Sequence, residues 1–250
     1  MSSVPDLPMR VAVVSDIHGN LHALEAVVSA VDALEPDELW CLGDLVGYGP
    51  RPNECCHAVR ERASVCLAGN HDLGVLGTID LAEFSDEAAA AAQWTRTILD
   101  EEARAFLAGL HTSSEAQGLE LYHASPLDPV WEYVLTEEAA RAALDATHAP
   151  AVLVGHSHVA LALTPEDGEI AGGLAPDGAS AEFGERRFLL NPGSVGQPRD
   201  GDPRAAFLLL DLDARRAEFH RVEYPLAYTQ REIAAAGLPA ILGQRLAFGQ

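Results

Sequence analysis

The sequence predicts an α/β fold. Val11 to Val14 is a short apolar run followed by Ser15-Asp16 and then by apolar residues at Leu24, Val27, Val28, Val31 and Leu34, the spacing of a buried strand feeding an amphipathic helix. The unit repeats in outline: Leu39 to Leu42 reads as a strand, Asn53 to Arg62 as a helix and Val65 to Ala68 as another strand, with glycine-rich turns after each. Strands alternating with helices favour a parallel sheet with the helices outside. The second half, by contrast, is mainly short strands.

From Ser85 to Leu110 the pattern is helical. Ser85 is a candidate N-cap for an Ala-rich helix running to Leu99, and a second helix starts at Asp100 and ends near Gly109. This pair reads as an insertion at about 85–110, either a lid beside a functional rim or an outer layer; the rim position favours the lid. Strands resume at Leu119 to Tyr122, a Thr136-capped helix leads to Val152 to Val154, and Phe188 to Leu190, Ala206 to Leu210 and Glu218 to Val222 follow as strands. Tyr228 to Ala236 and Ala240 to Leu246, parted by Gly237-Leu238-Pro239, predict terminal helices within about 226–248. At 250 residues and 48% hydrophobic, the chain is expected to form one domain over 1–250.

A formal charge of −22 argues against a long nucleic-acid partner, because polymer binders carry a basic stripe that releases counterions. Cys41, Cys55, Cys56 and Cys66 follow no C-x-x-C spacing and are too sparse for a disulfide framework, so they are expected to be reduced and mostly buried. The N-terminus, with Pro5, Asp6 and Pro8, lacks a basic segment followed by a long apolar run, and nowhere do 18 apolar residues occur in succession. A cytoplasmic protein without a membrane partner is expected.

Five polar clusters carry the chemistry, each where an apolar run gives out: Asp16-Ile17-His18, Gly43-Asp44, Gly69-Asn70-His71-Asp72, Tyr122-His123 and Gly155-His156-Ser157-His158. In α/β sheets, loops beyond the carboxyl ends of strands converge, so the clusters can meet on one rim despite their separation in sequence. Two Asp, one Asn and four His form an oxygen and nitrogen set without thiolate, suited to two divalent transition ions such as Mn, Fe, Co, Ni or Zn, with Mn favoured, rather than to Ca. Two such ions about 3.5 to 4 Å apart stabilise both the attacking and the leaving oxygen of a displacement at phosphorus. Two divalent charges against two aspartates and one hydroxide leave about +1, enough to attract a phosphate anion into an acidic protein.

Asp16-Ile17-His18-Gly19-Asn20, Gly43-Asp44, Gly69-Asn70-His71-Asp72, His123 and Gly155-His156-Ser157-His158 resemble the motifs of the calcineurin-like metallophosphoesterase superfamily over residues 11 to about 200. Asn191-Pro192-Gly193-Ser194-Val195-Gly196-Gln197-Pro198-Arg199 and Gly43-Asp44-Leu45-Val46-Gly47-Tyr48-Gly49 resemble its compact prokaryotic phosphodiesterase branch. The resemblance implies a four-layer α-β-β-α sandwich of two mixed β-sheets with flanking helices. It implies that Asp16, His18 and His158 bind one metal, that Asn70, His123 and His156 bind the other, and that Asp44 bridges them. It further implies that His71 acts on the leaving-group oxygen as general acid or charge stabiliser, with Asp72 as its orienting partner and a metal-bound hydroxide as nucleophile. Asp72 stands where Glu is frequent and Ala124 follows His123 where Gly is usual; neither change removes a ligand.

Other residues have weaker claims. Arg199 is a candidate clamp for a substrate phosphate, against pairing with Asp200 or Asp202, and Asn20 is a second candidate for substrate binding. Asn191 to Ser194 either turns backbone N–H groups toward the site or forms a structural turn. Trp131 and Tyr133 are candidate cleft walls, while Trp94 reads as a packing residue. His22, His57, His111, His148 and His220 read as surface or core histidines, with His22 a distant candidate for a supporting role at the site.

The expected function is hydrolysis of phosphodiester or phosphomonoester bonds in a small phosphorylated substrate. A dinucleoside polyphosphate or nucleotide phosphatase is the alternative, followed by a polymer nuclease, which the acidity disfavours. A protein-binding scaffold of the same fold is the non-catalytic alternative, disfavoured because all seven ligands and His71 are present. On acidification the four ligand imidazoles are expected to compete with protons and release metal.

Overall fold

The computed structural model describes residues 9–250. Pro5, Asp6 and Pro8 lie outside them. One sheet contains β1 (Arg10–Val14), β2 (Glu38–Cys41), β3 (Ala63–Cys66), β9 (Ser180–Glu182), β11 (Ala205–Asp211) and β12 (Arg216–Val222), in the order β3-β2-β1-β11-β12-β9. The other contains β4 (Ser113–Ala116), β5 (Leu119–Tyr122), β6 (Ala151–Leu153), β7 (Ala160–Glu166), β8 (Glu169–Leu174) and β10 (Phe188–Pro192), in the order β4-β5-β6-β10-β7-β8. Strands β1, β2 and β3 run parallel, as do β5, β6 and β10, while the remaining pairings are antiparallel. Both sheets are therefore mixed.

Period-two alternation builds the layers. Val11 and Val13 face the core between the sheets with Trp40, Leu42, Leu121, Leu153, Leu190, Leu208 and Phe219. Ala12 and Val14 face the opposite way, onto α1 (Leu21–Leu34) and α2 (Pro52–Arg62) through Leu24, Val27, Val31, Cys55 and Val59. On the outer face of the second sheet, α6 (Glu137–Asp145) covers Val152, Val154 and Leu189. Helix, sheet, sheet and helix are thus stacked as the four expected layers.

Several boundaries follow from identifiable caps. The Ser85 hydroxyl accepts from Ala88 N at 3.3 Å to open α4 (Asp86–Ile98), the Asp100 carboxylate accepts from Ala103 N to open α5 (Glu101–Ala108), and Thr136 caps α6. The segment Asn70–Leu76, which the sequence presents as part of a turn, is a short helix, α3. Its glycines, Gly74 and the terminal Gly77, hide its helical pattern. In the 85–110 pair, Ala92, Leu99, Ala103 and Leu107 pack into the α1–α2 core, and Ala88 and Ala91 pack with Trp94 and Tyr48 against the terminal helices α7 (Leu226–Ala235) and α8 (Ala240–Gln244). The four cysteines are free, with Cys41, Cys55 and Cys56 buried and Cys66 half-buried. Among the described residues no helix is long and apolar enough to cross a membrane.

Candidate metal centre

All five clusters meet at the carboxyl ends of the six parallel-running strands. Backbone hydrogen bonds lace their loops together: Asp16 N donates to Gly43 O, His18 N to Asp44 O, Gly155 N to His123 O and Gly196 N to Asp16 O. The chain bends sharply to achieve this. Among the described residues ten non-glycine residues have left-handed φ, and Asp16, His18, Asp44, Tyr48, His156 and His158 are six of them, with φ between 51° and 62°. Each such residue costs about 1–3 kcal/mol, so strain is concentrated on this rim. Gly69 is required by close approach: a Cβ there would collide with the Asp44 carboxylate.

Two groups of side chains offer donor atoms within 4.8 Å of one another, namely Asp16, His18, Asp44 and His158, and Asp44, His123 and His156. Asp44 belongs to both. Its Oδ2 lies 3.6 Å from Nε2 of His18 and 3.6 Å from Nε2 of His123. Asn70 Oδ1 lies 3.3 Å from His123 Nε2, and Asp16 Oδ1 lies 3.3 Å from His158 Nε2. Three imidazoles are oriented from behind: Nδ1 of His18 is 3.0 Å from Val46 O, Nδ1 of His123 is 2.8 Å from Leu42 O, and Nδ1 of His158 is 2.6 Å from Gln197 O. Donation from Nδ1 leaves Nε2 as a lone pair aimed at the centre. His156 is held differently, with Nε2 3.3 Å from Trp131 O and its ring stacked on Tyr133 at 4.2 Å.

Elementary electrostatics shows that these residues fit cations. Asp16 Oδ1 and Asp44 Oδ2 are buried acceptors without a hydrogen-bond donor, and Nε2 of His18 faces Nε2 of His158 at 3.0 Å. Facing lone pairs and unpartnered carboxylate oxygens are unfavourable unless a positive charge sits among them. Burial, with the like charge of Asp44 adding to it, pushes the Asp16 carboxyl up to about 7, and burial with the neighbouring Asp72 raises Asp44 well above the usual carboxylate range. Burial also lowers His18 and His158 well below the usual imidazole range and His156 to about 2. The imidazoles are thus held neutral, while the carboxylates are the groups that keep protons. Proton competition with a cation therefore falls on Asp16 and Asp44 before it reaches His18, His156 and His158, three of the imidazoles that the sequence suggested for it.

The candidates around the centre are sorted by their contacts. His71 lies at its edge, with its ring 4.8 Å from His18 and 4.4 Å from Tyr48 and with a buried Nδ1 that has no partner. Burial, then the charge of Arg199, holds it well below the usual imidazole range. Asp72 does not orient it. The Asp72 carboxylate accepts from the backbone N–H groups of Leu45, Val46 and Gly69 at 2.9–3.1 Å and so pins the Asp44 loop to α3. Three residues after the N-cap is where a carboxylate meets orphan helix amides, which explains the choice. Asn20 is likewise structural. Its Oδ1 caps α1 and accepts from the Thr229 hydroxyl, and its Nδ2 donates to Gly196 O, so both ends of its buried amide are engaged within the fold.

Arg199 pairs with neither Asp200 nor Asp202. Asp200 pairs with Arg221 and Asp202 with Arg204, while Arg199 Nη2 donates to Tyr48 Oη at 3.2 Å and to Gln197 Oε1 at 3.1 Å. Asn191 braces the His156 loop through Gly155 O and Ser157 Oγ, so the structural reading of that motif prevails. Phe84 touches both His71 and Trp131, and Tyr48 lies between His18 and His71; sequence reasoning missed both as site residues. The flanking Gly47 and Gly49 were the available signal for Tyr48. Of the other histidines, His22 lies 3.4 Å from Glu232, and His57 lies 3.3 Å from Asp100, both away from the centre.

Comparison with known proteins agrees with the geometry. The calcineurin-like phosphoesterase superfamily domain matches residues 9–215. An uncharacterised protein of Methanocaldococcus jannaschii is 35% identical over 245 residues, covering 96% of this chain and 98% of its own. The crystal structure of a metallophosphoesterase from Sphaerobacter thermophilus is 42% identical, covers 98% of this chain and 100% of its own, and superposes with a TM-score of 0.88. A symmetrical bis(5'-nucleosyl)-tetraphosphatase of Actinobacillus pleuropneumoniae is 36% identical over 74 residues, which is 28% of this chain and 27% of that protein. With the domain spanning most of its length and the Methanocaldococcus and Sphaerobacter proteins aligned end to end, the chain belongs to the calcineurin-like phosphoesterase superfamily.

Proposed function

We propose that the protein is a hydrolase that cleaves phosphodiester or phosphomonoester bonds of small phosphorylated molecules at a dinuclear site. The observation that carries this reading is the position of Asp44 Oδ2, unpartnered and equidistant from His18 and His123, where one carboxylate oxygen serves two donor groups. Asp16, His18 and His158 would hold one divalent transition ion, and Asn70, His123 and His156 the other, with Asp44 shared between them. When bound, two such ions neutralise phosphoryl oxygens and lower the pKa of water.

The chain's own residues do the rest. The carbonyls of Leu42, Val46 and Gln197 orient three imidazoles, and Asp72 keeps the Asp44 loop against α3. His71, neutral and unpartnered at Nδ1, stands beside the ligands as the side chain able to hydrogen-bond or protonate a leaving oxygen. Phe84 and Trp131 limit the access of water on its flank. The local likeness to a bis(5'-nucleosyl)-tetraphosphatase favours dinucleoside polyphosphates as a second substrate class.

The test is a turnover screen of protein loaded with Mn²⁺, and separately with Zn²⁺, against bis(p-nitrophenyl) phosphate, p-nitrophenyl phosphate, cyclic nucleotides and dinucleoside polyphosphates. Hydrolysis lost on chelation and restored by metal is expected. Turnover that survives exhaustive chelation would overturn the dinuclear reading.

A further inference from the structure

Tyr48 shares the left-handed backbone of the ligands, with φ of 55°, yet it offers no metal ligand of the usual kind. Strain retained at a residue that does not bind metal marks a further requirement at that position. Its ring is 4.6 Å from His18 and 4.4 Å from His71 on one side. Beyond it stand two guanidiniums, Arg199 and Arg245, each with its central carbon 5.8 Å from the Tyr48 ring centre.

What distinguishes these two cations is that they meet on one acceptor. Both donate to the same neutral oxygen, Gln197 Oε1, at 3.1 Å from Arg199 and 3.4 Å from Arg245. Some arginines of this chain pair with carboxylates, as Arg51 does with Glu232 and Arg221 with Asp200, and others donate to backbone carbonyls, as Arg10 does to Leu34 O, Arg96 to Gly74 O and Arg187 to Thr147 O. Among the described residues neither Arg199 nor Arg245 has a carboxylate within 4.0 Å, although the chain contains 38 Asp and Glu. Two like charges converging on one amide oxygen repel each other unless an anion joins them. The Arg199 backbone N–H donates to His158 O at 3.1 Å, and the Tyr48 ring between the arginines and His71 also lies against His18, so Arg199 adjoins the candidate metal ligands.

We propose that Tyr48, Arg199 and Arg245 form a phosphoryl-binding subsite beside the metal centre, selecting substrates that carry a second phosphoryl group next to the one held by the metals. The inference rests on the phosphoesterase reading of that centre. The planar guanidinium fork matches phosphate bidentately, which an ammonium does not, and the Tyr48 hydroxyl adds a donor between the fork and the ligands. Arg245 comes from the C-terminal segment after α8, so the terminal helices complete the subsite.

The test is calorimetric titration of the Mn²⁺-loaded full chain with orthophosphate and with pyrophosphate at buffered free metal. Wild type is expected to bind pyrophosphate about tenfold or more tightly than orthophosphate, the scale of one charge-assisted hydrogen bond. Arg245→Ala and Arg199→Lys should each reduce that ratio about tenfold. Both arginines are half-buried, and Arg245 carries the test should the Arg199 variant fold poorly. Arg60→Ala, which removes one positive charge facing Glu102, should leave the ratio as in wild type.

A wild-type ratio near one, or a ratio unchanged in Arg245→Ala, would overturn the subsite. A variant that changes metal stoichiometry but not the ratio would also overturn it, since that is the signature of Arg199 merely offsetting the buried carboxylates. Hydrolysis of bis(p-nitrophenyl) phosphate on the same preparations separates the two readings. Turnover with a flat ratio removes the subsite alone, whereas a responsive ratio without turnover removes the hydrolase alone.

Discussion

Asp44 Oδ2 is a buried acceptor with no donor, and the other oxygen of this carboxylate accepts from His71 N at 2.8 Å. Replacing the carboxylate by its neutral isostere separates metal binding from folding. Asp44→Asn should lose the two-ion stoichiometry and hydrolysis together, and two ions per chain by elemental analysis would remove Asp44 from the bridging role. In chelator, the same variant should melt above wild type at pH 8, with the gap closing toward pH 5. The sign follows from burial, and then the Asp72 charge, holding the folded Asp44 carboxyl well above its unfolded value of 3.8. Stability from such a group is fully present below about pH 4 and is lost as pH rises through the folded pKa, so only the wild type loses it. His71→Ala should keep both ions while kcat falls by about 10² to 10⁴, the usual contribution of a positioned acid. Unchanged turnover would leave His71 without a catalytic part.

At the scale of elements, the site depends on contacts made far from the ligands. Asn20 joins α1, the Gly196 loop and α7 through three hydrogen bonds at 2.9–3.3 Å. Asn20→Ala removes a helix cap and leaves Gly196 O and the Thr229 hydroxyl without partners, so urea denaturation should show a loss of about 2–3 kcal/mol. Its KM should stay at the wild-type value, and a selective rise in KM with intact stability would restore Asn20 to substrate binding. The strands and the α4, α5 and α6 caps were legible because period-two alternation and cap residues are local. Helix α3 was not, because a seven-residue helix with a glycine inside it has little periodicity to detect. The place of α7 and α8 was equally hidden, since Thr229 and Arg245 reach the site only through long-range packing.

For the whole molecule, the relation between charge and pH becomes specific once burial is known. The imidazoles of His18, His156 and His158 stay neutral far below pH 6.5, whereas Asp16 keeps its proton up to about 7 in the metal-free fold. Below pH 7 a cation must displace that proton, so apparent affinity should fall about tenfold per pH unit for each proton displaced. Calorimetry in buffers of different ionisation enthalpy should detect proton release that grows as pH drops from 8 to 6. Release that is constant over this range would return proton competition to groups other than the carboxylates.

The sequence by itself determined the α/β class, the candidate ligand set and the place of each candidate after an apolar run. These are properties of residue type and short-range spacing: donor chemistry resides in single side chains, and strand ends are marked by local pattern. Only the tertiary structure decided how those residues are used. It turned Asp72 and Asn20 from active-site candidates into braces, made Asp16 and Asp44 rather than His18, His156 and His158 the proton-holding groups, and brought Tyr48, Arg199 and Arg245 together. Each of those outcomes depends on burial or on contact between residues distant in sequence, and neither quantity is written in local spacing.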